Sequence, residues 1–398
     1  MTRDEDGRIK YQDLRCRALP FGLICCPMIA TFIMREHTKR YSDNPQLKNA
    51  CAIISEDSYV DDVIINGETE ENLATEVKNV VHILNEADLP THKYISNSPS
   101  ALEDFPPDKL SSKTTVSVLG TMWNSLNDKL TLKLISPEKI KNSNHHLTKR
   151  SLLALLASVF DVCGYIAPFT LLGKHLLQEC WSRKIPWDVT LPEDIATPFK
   201  VFTDELPQLE ALCLPRRFFQ SDDAKITEIC SFADASQHAF AAVVYIVSTN
   251  ADGSKNSHLA FAKTRVRPLS RKLKRLTDEM SICRMELLAA LLCARITKFV
   301  GQALKHHENL VYRHFSDSMV TLHRLANENP EAFKPFIANR LKAIASLTNL
   351  DNWHYISTDE NFAADSASRG LTLSEFKDDS RWWNGPACIT LEISTWRK

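Results

Sequence analysis

A chain of 398 residues exceeds one ordinary core and points to two or three domains, while 44% apolar and 24% charged residues mark it as globular rather than disordered. Ten glycines, none spaced as G-x-G-x-x-G or G-x-x-x-x-G-K, exclude a glycine-rich phosphate loop, and eleven cysteines without a C-x-x-C pair exclude a zinc ribbon. A formal net charge of −1 leaves no global basic field, so contact with nucleic acid must come from local patches.

The first ten residues are too polar for a secretory leader, and the odd cysteine count fits reduced intracellular thiols. Pro27 to about Tyr41 reads as a helix. Ile53–Tyr59 and Val63–Ile65 read as two short strands joined at Asp61-Asp62. Glu70 to Ala87 is an amphipathic helix with Leu73, Val77, Val80, Val81 and Leu84 on one face. Thr115–Trp123 reads as one strand, and the polar, proline-bearing stretches Ser96–Ser112 and Ser136–Lys149 as connections. Leu152 to Leu172 runs 21 residues with Asp161 as its one charge. That carboxylate would be costly in lipid, and Gly164 and Pro168 interrupt the run. A buried helix pair broken near Gly164 is therefore expected rather than a membrane span, inside a helical region from Lys149 to Arg183.

From Ala224 the pattern changes. Ile226–Ala233, Ala239–Val247 and His258–Ala262 read as three consecutive strands, with a turn at Ala251-Asp252-Gly253. A long helix (about Asp278 to Val300), a strand (Leu310–Phe315), a helix from Asp317, another over Glu331–Leu347, a strand (Trp353–Ser357) and a short helix around Phe362–Ser368 complete an α/β unit. The cut near 223 is the clearest domain boundary in the sequence.

Acids sit at the ends of these elements. Asp234 follows an apolar strand, Glu286 interrupts an apolar helix, Asp317 joins a strand to a helix, and Asp365 follows the last strand. Singly each has a bland account: Asp317 as a helix N-cap, Asp365 as a solvated helix-end acid. Four carboxylates converging on one sheet edge would instead form a hard oxygen cage for Mg²⁺ or Mn²⁺. Upstream, the paired acids of Tyr59-Val60-Asp61-Asp62 fit either a polar β-turn or a hairpin tip that holds metal. Lys263, Arg265, Arg267, Arg271, Lys272, Lys274 and Arg275 form a basic run without an acid, fitting phosphate contact or a solvated loop.

The element order with its four acids resembles the ribonuclease H fold. Phe232-Ala233-Asp234-Ala235-Ser236, Arg284-Met285-Glu286-Leu287, Ser316-Asp317-Ser318 and Ala364-Asp365-Ser366-Ala367-Ser368-Arg369-Gly370 resemble words of retroelement ribonuclease H domains. Many relatives carry a histidine in the loop before the last acid. Here that loop is Thr358-Asp359-Glu360-Asn361, with Glu360 as the candidate stand-in. Leu19-Pro20-Phe21-Gly22-Leu23 with Cys26-Pro27 resembles the stretch of reverse transcriptases that lines the nucleotide pocket. His92-Lys93-Tyr94 and Leu119-Gly120-Thr121-Met122-Trp123 resemble two later palm motifs. The resemblance implies a nucleotide pocket with Phe21, Gly22, Tyr59 and Lys93, and catalytic, metal-binding roles for Asp61 and Asp62. That family needs a further upstream aspartate and the fingers, and only about 18 residues precede Leu19. The expectation is the C-terminal part of a palm, without polymerase activity of its own.

Phe160-Asp161-Val162-Cys163-Gly164-Tyr165-Ile166-Ala167-Pro168 resembles the F-D-P-x-G-x-x-x-P word of Pao/BEL-type LTR retrotransposon polyproteins. Trp187-Asp188, Arg267-Pro268-Leu269 and Trp382-Trp383-Asn384-Gly385-Pro386 are similar to that family's words too. The expected fold is therefore mixed α/β and α+β in several domains. A partial reverse transcriptase palm covers 1–125 and a helical thumb/connection-like region 126–223. A ribonuclease H-like mixed sheet with flanking helices covers 224–370, and a tail 371–398. By the resemblance, Asp234, Glu286, Asp317 and Asp365 hold two Mg²⁺ or Mn²⁺ ions, and water attacks the RNA strand of an RNA–DNA hybrid. The resemblance also implies other Pol or Gag products as partners and a cytoplasmic (virus-like particle) or nuclear location, and the interrupted apolar run leaves no membrane expected. Two further readings stay open. One is a decayed or domesticated copy that binds nucleic acid without catalysis. The other is a polynucleotidyl transferase of the same fold, a class that usually works with three acids.

Overall fold

The computed structural model describes residues 2–3, 9–10, 19–20, 22–133, 147–219, 223–269, 280–307 and 309–391. The chain divides into two compact units, Met1–Thr114 with Ser125–Asn127, and Thr115–Asn124 with Asp128–Lys398.

In the first unit, two-residue strands β1 (Thr2–Arg3) and β2 (Ile9–Lys10) pair antiparallel, ahead of helices α1 (Cys26–Thr38), α2 (Lys48–Glu56) and α3 (Glu70–Glu86). Pro27 occupies the first turn of α1, where its missing N–H is no loss. Thr69 caps α3 by accepting the Asn72 N–H at 3.1 Å. Ala50, Ile53 and Ile54 of α2 share a buried core with Met34, Val80, Ile83 and Leu84. That i, i+3, i+4 spacing makes Ile53–Glu56 helical, where a strand was expected. Between α2 and α3 lies a minimal hairpin, β3 (Ser58–Tyr59) and β4 (Asp62–Val63), with Tyr59 opposite Asp62 and Val60 at φ 57° in the turn.

The second unit opens with β5 (Thr115–Val118), β6 (Thr121–Asn124) and β7 (Lys129–Leu132). The single strand expected over Thr115–Trp123 is a hairpin. Val118 pairs with Thr121, and Leu119 and Gly120 between them both have positive φ (48° and 79°), the two-residue turn that matches strand twist. Helices α4 (Lys149–Ser158), α5 (Ala167–Ser182) and α6 (Glu193–Glu205) come next, so the apolar run from Leu152 is two helices broken around Gly164, as expected. Among the described residues no helix is long and apolar enough to cross a membrane. After β8 (Cys213–Pro215), which pairs with β7, comes the main sheet: β9 (Lys225–Ala235), β10 (Ala239–Thr249), β11 (Lys255–Val266), β12 (Val311–Ser316) and β13 (Trp353–Tyr355). Its spatial order is β11-β10-β9-β12-β13, with the first three strands antiparallel and β12 and β13 parallel to β9.

Nearly every residue of β10 is buried, because both faces of the sheet are covered. One face, including Ile229, Val244 and Ile246, packs on α7 (Ile282–Ala303) and on helices α8 (Met319–Leu325) and α9 (Pro335–Ala345). The other, including Phe232, Val243 and Tyr245, packs on α4–α6, on α10 (Phe362–Arg369) and on the segment carrying α11 (Leu373–Phe376) and α12 (Ser380–Asn384). The helical region before 223 and the residues after 370 thus share one core with the sheet.

Two words without an assigned role become legible here. Asp161 accepts the backbone N–H groups of Tyr165 (2.9 Å) and Ile166 (2.8 Å), closing the loop that enters α5. Gly164, at φ 76°, lies so near β11 that a Cβ would sit 1.9 Å from the Ala262 carbonyl oxygen, and the Ala262 N–H donates to the Cys163 carbonyl at 2.8 Å. Trp382 is fully buried, donates to the Tyr165 carbonyl at 2.9 Å, and offers its own carbonyl to the Tyr245 hydroxyl at 2.8 Å. Both words dock segments onto the sheet.

Candidate metal centre

The parallel pairing of β9 and β12 sets Ser316 against Ala233, so the residues after them, Asp317 and Asp234, emerge side by side at the carboxyl ends of the two strands. Glu286, one turn into α7, joins them: a carboxylate oxygen of each of the three lies within 4.8 Å of the others. Asp317 is not an N-cap. Ser318 has that place, accepting the Thr321 N–H, which leaves the Asp317 carboxylate for the site.

Polar neighbours hold these acids. The Ser368 hydroxyl donates to Asp234 Oδ2. Asp317 Oδ2 accepts from the Thr358 hydroxyl at 2.9 Å, and Oδ1 from Asn361 Nδ2 at 3.4 Å. Asn361 is fully buried and also donates to the Ala233 carbonyl at 3.1 Å, while its own Oδ1 has no partner. Glu286 Oε2 is likewise buried without a hydrogen-bond partner. Asp365 falls outside that group of three, although its charge reaches Asp234, and its Oδ1 pairs with Arg369 Nε at 2.5 Å along α10.

Burial governs the electrostatics of the cluster. It pushes the Glu286 carboxyl up to about 9, reinforced by Asp234 and Asp317 and opposed by the Ala235 N–H. It likewise raises Asp234 to about 6, with Asp317 and Asp365 adding and the Ser368 hydroxyl opposing. Three crowded acids, one with an orphaned buried oxygen, form an all-oxygen donor set that fits a hard divalent cation such as Mg²⁺ or Mn²⁺.

The other candidate residues are not brought together. Asp61 and Asp62 are exposed at the β3–β4 hairpin, and among the described residues no group of three metal-ligating side chains forms there. Gly22, Tyr59 and Lys93 are exposed, and Phe21 lies outside the described residues. Lys263 and Arg265 are exposed on the edge strand β11 and Arg267 is half-buried beyond it, whereas Arg271, Lys272, Lys274 and Arg275 lie outside the described residues. Glu360 is exposed and accepts from the Ser357 hydroxyl of its own turn at 2.9 Å.

Sequence reasoning misses Asn361, Ser368 and Arg369 as site residues. Their signal is spacing: they fall at −4, +3 and +4 from Asp365, which share a helix face with it.

Residues 148–318 match the family model described as Pao retrotransposon-like RNaseH-like domain. The match takes in α4–α6 and Asp234, Glu286 and Asp317, and stops before Asp365. No curated protein matches the chain. Among solved structures, the foamy viral protease-reverse transcriptase in complex with dsDNA is 15% identical over 85% of this chain and 60% of that one, with a TM-score of 0.43. The foamy viral protease-reverse transcriptase dRH in complex with ds DNA is 15% identical over 81% and 48%, with a TM-score of 0.39. RNase H1 from the halophilic archaeon Halobacterium salinarum NRC-1 is 13% identical over 35% and 93%, with a TM-score of 0.20. The chain thus spans about half to three fifths of the foamy viral chains.

Proposed function

We propose that the second unit is a divalent-metal-dependent ribonuclease H that cuts the RNA strand of RNA–DNA hybrids, within the Pol region of a Pao/BEL-like retrotransposon. The observation that carries this reading is the meeting of Asp234, Glu286 and Asp317 within 4.8 Å, with Glu286 Oε2 buried and unpartnered. Asp234, Glu286 and Asp317 would hold Mg²⁺ or Mn²⁺, with Asp365 at the edge. A bound divalent ion supplies Lewis-acid activation of water and charge stabilisation at the phosphate.

The chain's residues do the rest. Ser368 orients Asp234, and Thr358 with Asn361 orients Asp317, so the carboxylates need not reorganise when a cation arrives. Lys263 and Arg265, with the remainder of the basic run, contact backbone phosphates of the hybrid. Glu360, whose carboxylate accepts from the Ser357 hydroxyl of its own turn, stands in the loop where many relatives carry a histidine and is the candidate to replace it. The first unit is the C-terminal part of a reverse transcriptase palm, in which Asp61 and Asp62 would hold metal and Gly22, Tyr59 and Lys93 line a nucleotide site with Phe21.

The test is substrate choice by the full chain. Labelled RNA–DNA hybrid, duplex DNA and single-stranded RNA are incubated with Mg²⁺ or Mn²⁺. Cleavage confined to the RNA of the hybrid supports the reading. Cutting of duplex DNA instead favours a same-fold polynucleotidyl transferase.

A further inference from the structure

We infer that Arg369 is a resident counter-ion of the acidic site: it holds Asp365 away from the other three acids and competes with a second cation for it. The inference rests on the metal-site reading above and concerns how that site fills.

Asp365 and Arg369 are one helical turn apart on α10, a spacing that sets the side chains beside each other before any ligand is present. The guanidinium Nε lies 2.5 Å from Asp365 Oδ1. Arg369 also responds to the wider site, being raised above its ordinary value first by Asp365 and further by Asp234 and Asp317. Among the described residues, no lysine or arginine forms an ion pair with Asp234, Glu286 or Asp317. The same helix grips the first acid through Ser368, whose hydroxyl donates to Asp234 and also reaches the Asp365 carbonyl at 3.1 Å. One short helix therefore carries both the hydroxyl that orders Asp234 and the cation that diverts Asp365. Asp234, Glu286 and Asp317 are placed to take a first ion unaided. Engaging Asp365 for a second requires breaking its pair with Arg369, so Arg369 sets the metal concentration at which the second ion binds.

The pair is partly exposed, with the Arg369 side chain at 64% and Asp365 at 27%, so its effect is modest: about two- to fivefold in affinity. Calorimetric titration of the full chain with Ca²⁺ and with Mn²⁺, without nucleic acid, reads it directly. Arg369→Gln is expected to tighten the weaker site by that factor and leave the tighter site nearly unchanged, with Arg369→Lys in between. Asp365→Asn should abolish the gain when combined with Arg369→Gln. An unchanged or weakened second site in Arg369→Gln overturns the inference while leaving the metal-site reading intact. If the wild type binds no divalent ion, or binds as well after Asp234→Asn, both fall together.

Discussion

The Glu286 carboxyl has an ordinary value of 4.5 and is pushed up to about 9 in the folded chain, by burial first and then by Asp234 and Asp317. Between those limits the metal-free folded chain holds a proton that the unfolded chain has released. The stability this group contributes is whole below about pH 4.5 and is lost as pH rises towards 9, at no more than about 1.4 kcal/mol per pH unit. Glu286→Gln removes that slope. In denaturant titrations without metal, the wild type should therefore lose stability relative to Glu286→Gln as pH rises from 5 to 8, and Mn²⁺ should restore it most at the higher pH. A pH-independent difference would mean that Glu286 is not buried among the other acids.

At the scale of elements, part of the core lies outside the strands that carry the acids. Trp382 fills the core beside Phe376 and ties the tail to Tyr165 and Tyr245. Trp382→Ala is expected to cost about 3–5 kcal/mol, measured by the shift in denaturation midpoint of the full chain. A loss under 1 kcal/mol would show that the tail is an accessory. The order of strands and helices after Ala224 is legible in the sequence, because short continuous apolar runs and 3.6-residue apolar patterns there are unmixed. Three of the acids that meet are legible too, as carboxylates among apolar neighbours. The helical state of Ile53–Glu56 is not, since a short apolar run suits either period, and neither is the hairpin turn at Leu119-Gly120. That residues 371–391 and α4–α6 belong to the same core is equally hidden, because burial against distant elements leaves no local periodicity. Asn361 and Ser368 escape for a related reason: polar residues beside a short helix look solvated until their partners on β9 and β12 are known.

For the whole molecule, near-neutral net charge means that the proposed hybrid binding would have to rest on local patches such as Lys263 and Arg265. Lys263→Ala with Arg265→Ala should weaken hybrid binding regardless of sequence and flatten its salt dependence by up to about 0.9 log–log units per lost phosphate contact. An unchanged slope would make these residues a solvated edge that blunts β11 against strand pairing. The full chain should not extend a primer on an RNA template. The Asp61-Asp62 hairpin gathers no third metal-ligating side chain among the described residues, and robust DNA synthesis would refute this. The central claim concerns the three acids, and the most direct measurement is hydrolysis of labelled hybrid by the full chain with Mg²⁺, comparing wild type with Asp234→Asn and Asp317→Asn while hybrid binding is followed in parallel. The account predicts that the wild type cuts the RNA strand and that both variants bind the hybrid yet lose at least about a hundredfold in rate, a conservative expectation for stripping a metal-site charge at about 2.7 kcal/mol or more. A folded wild-type chain that binds hybrid without cutting it, or variants that cut as fast as the wild type, would contradict it.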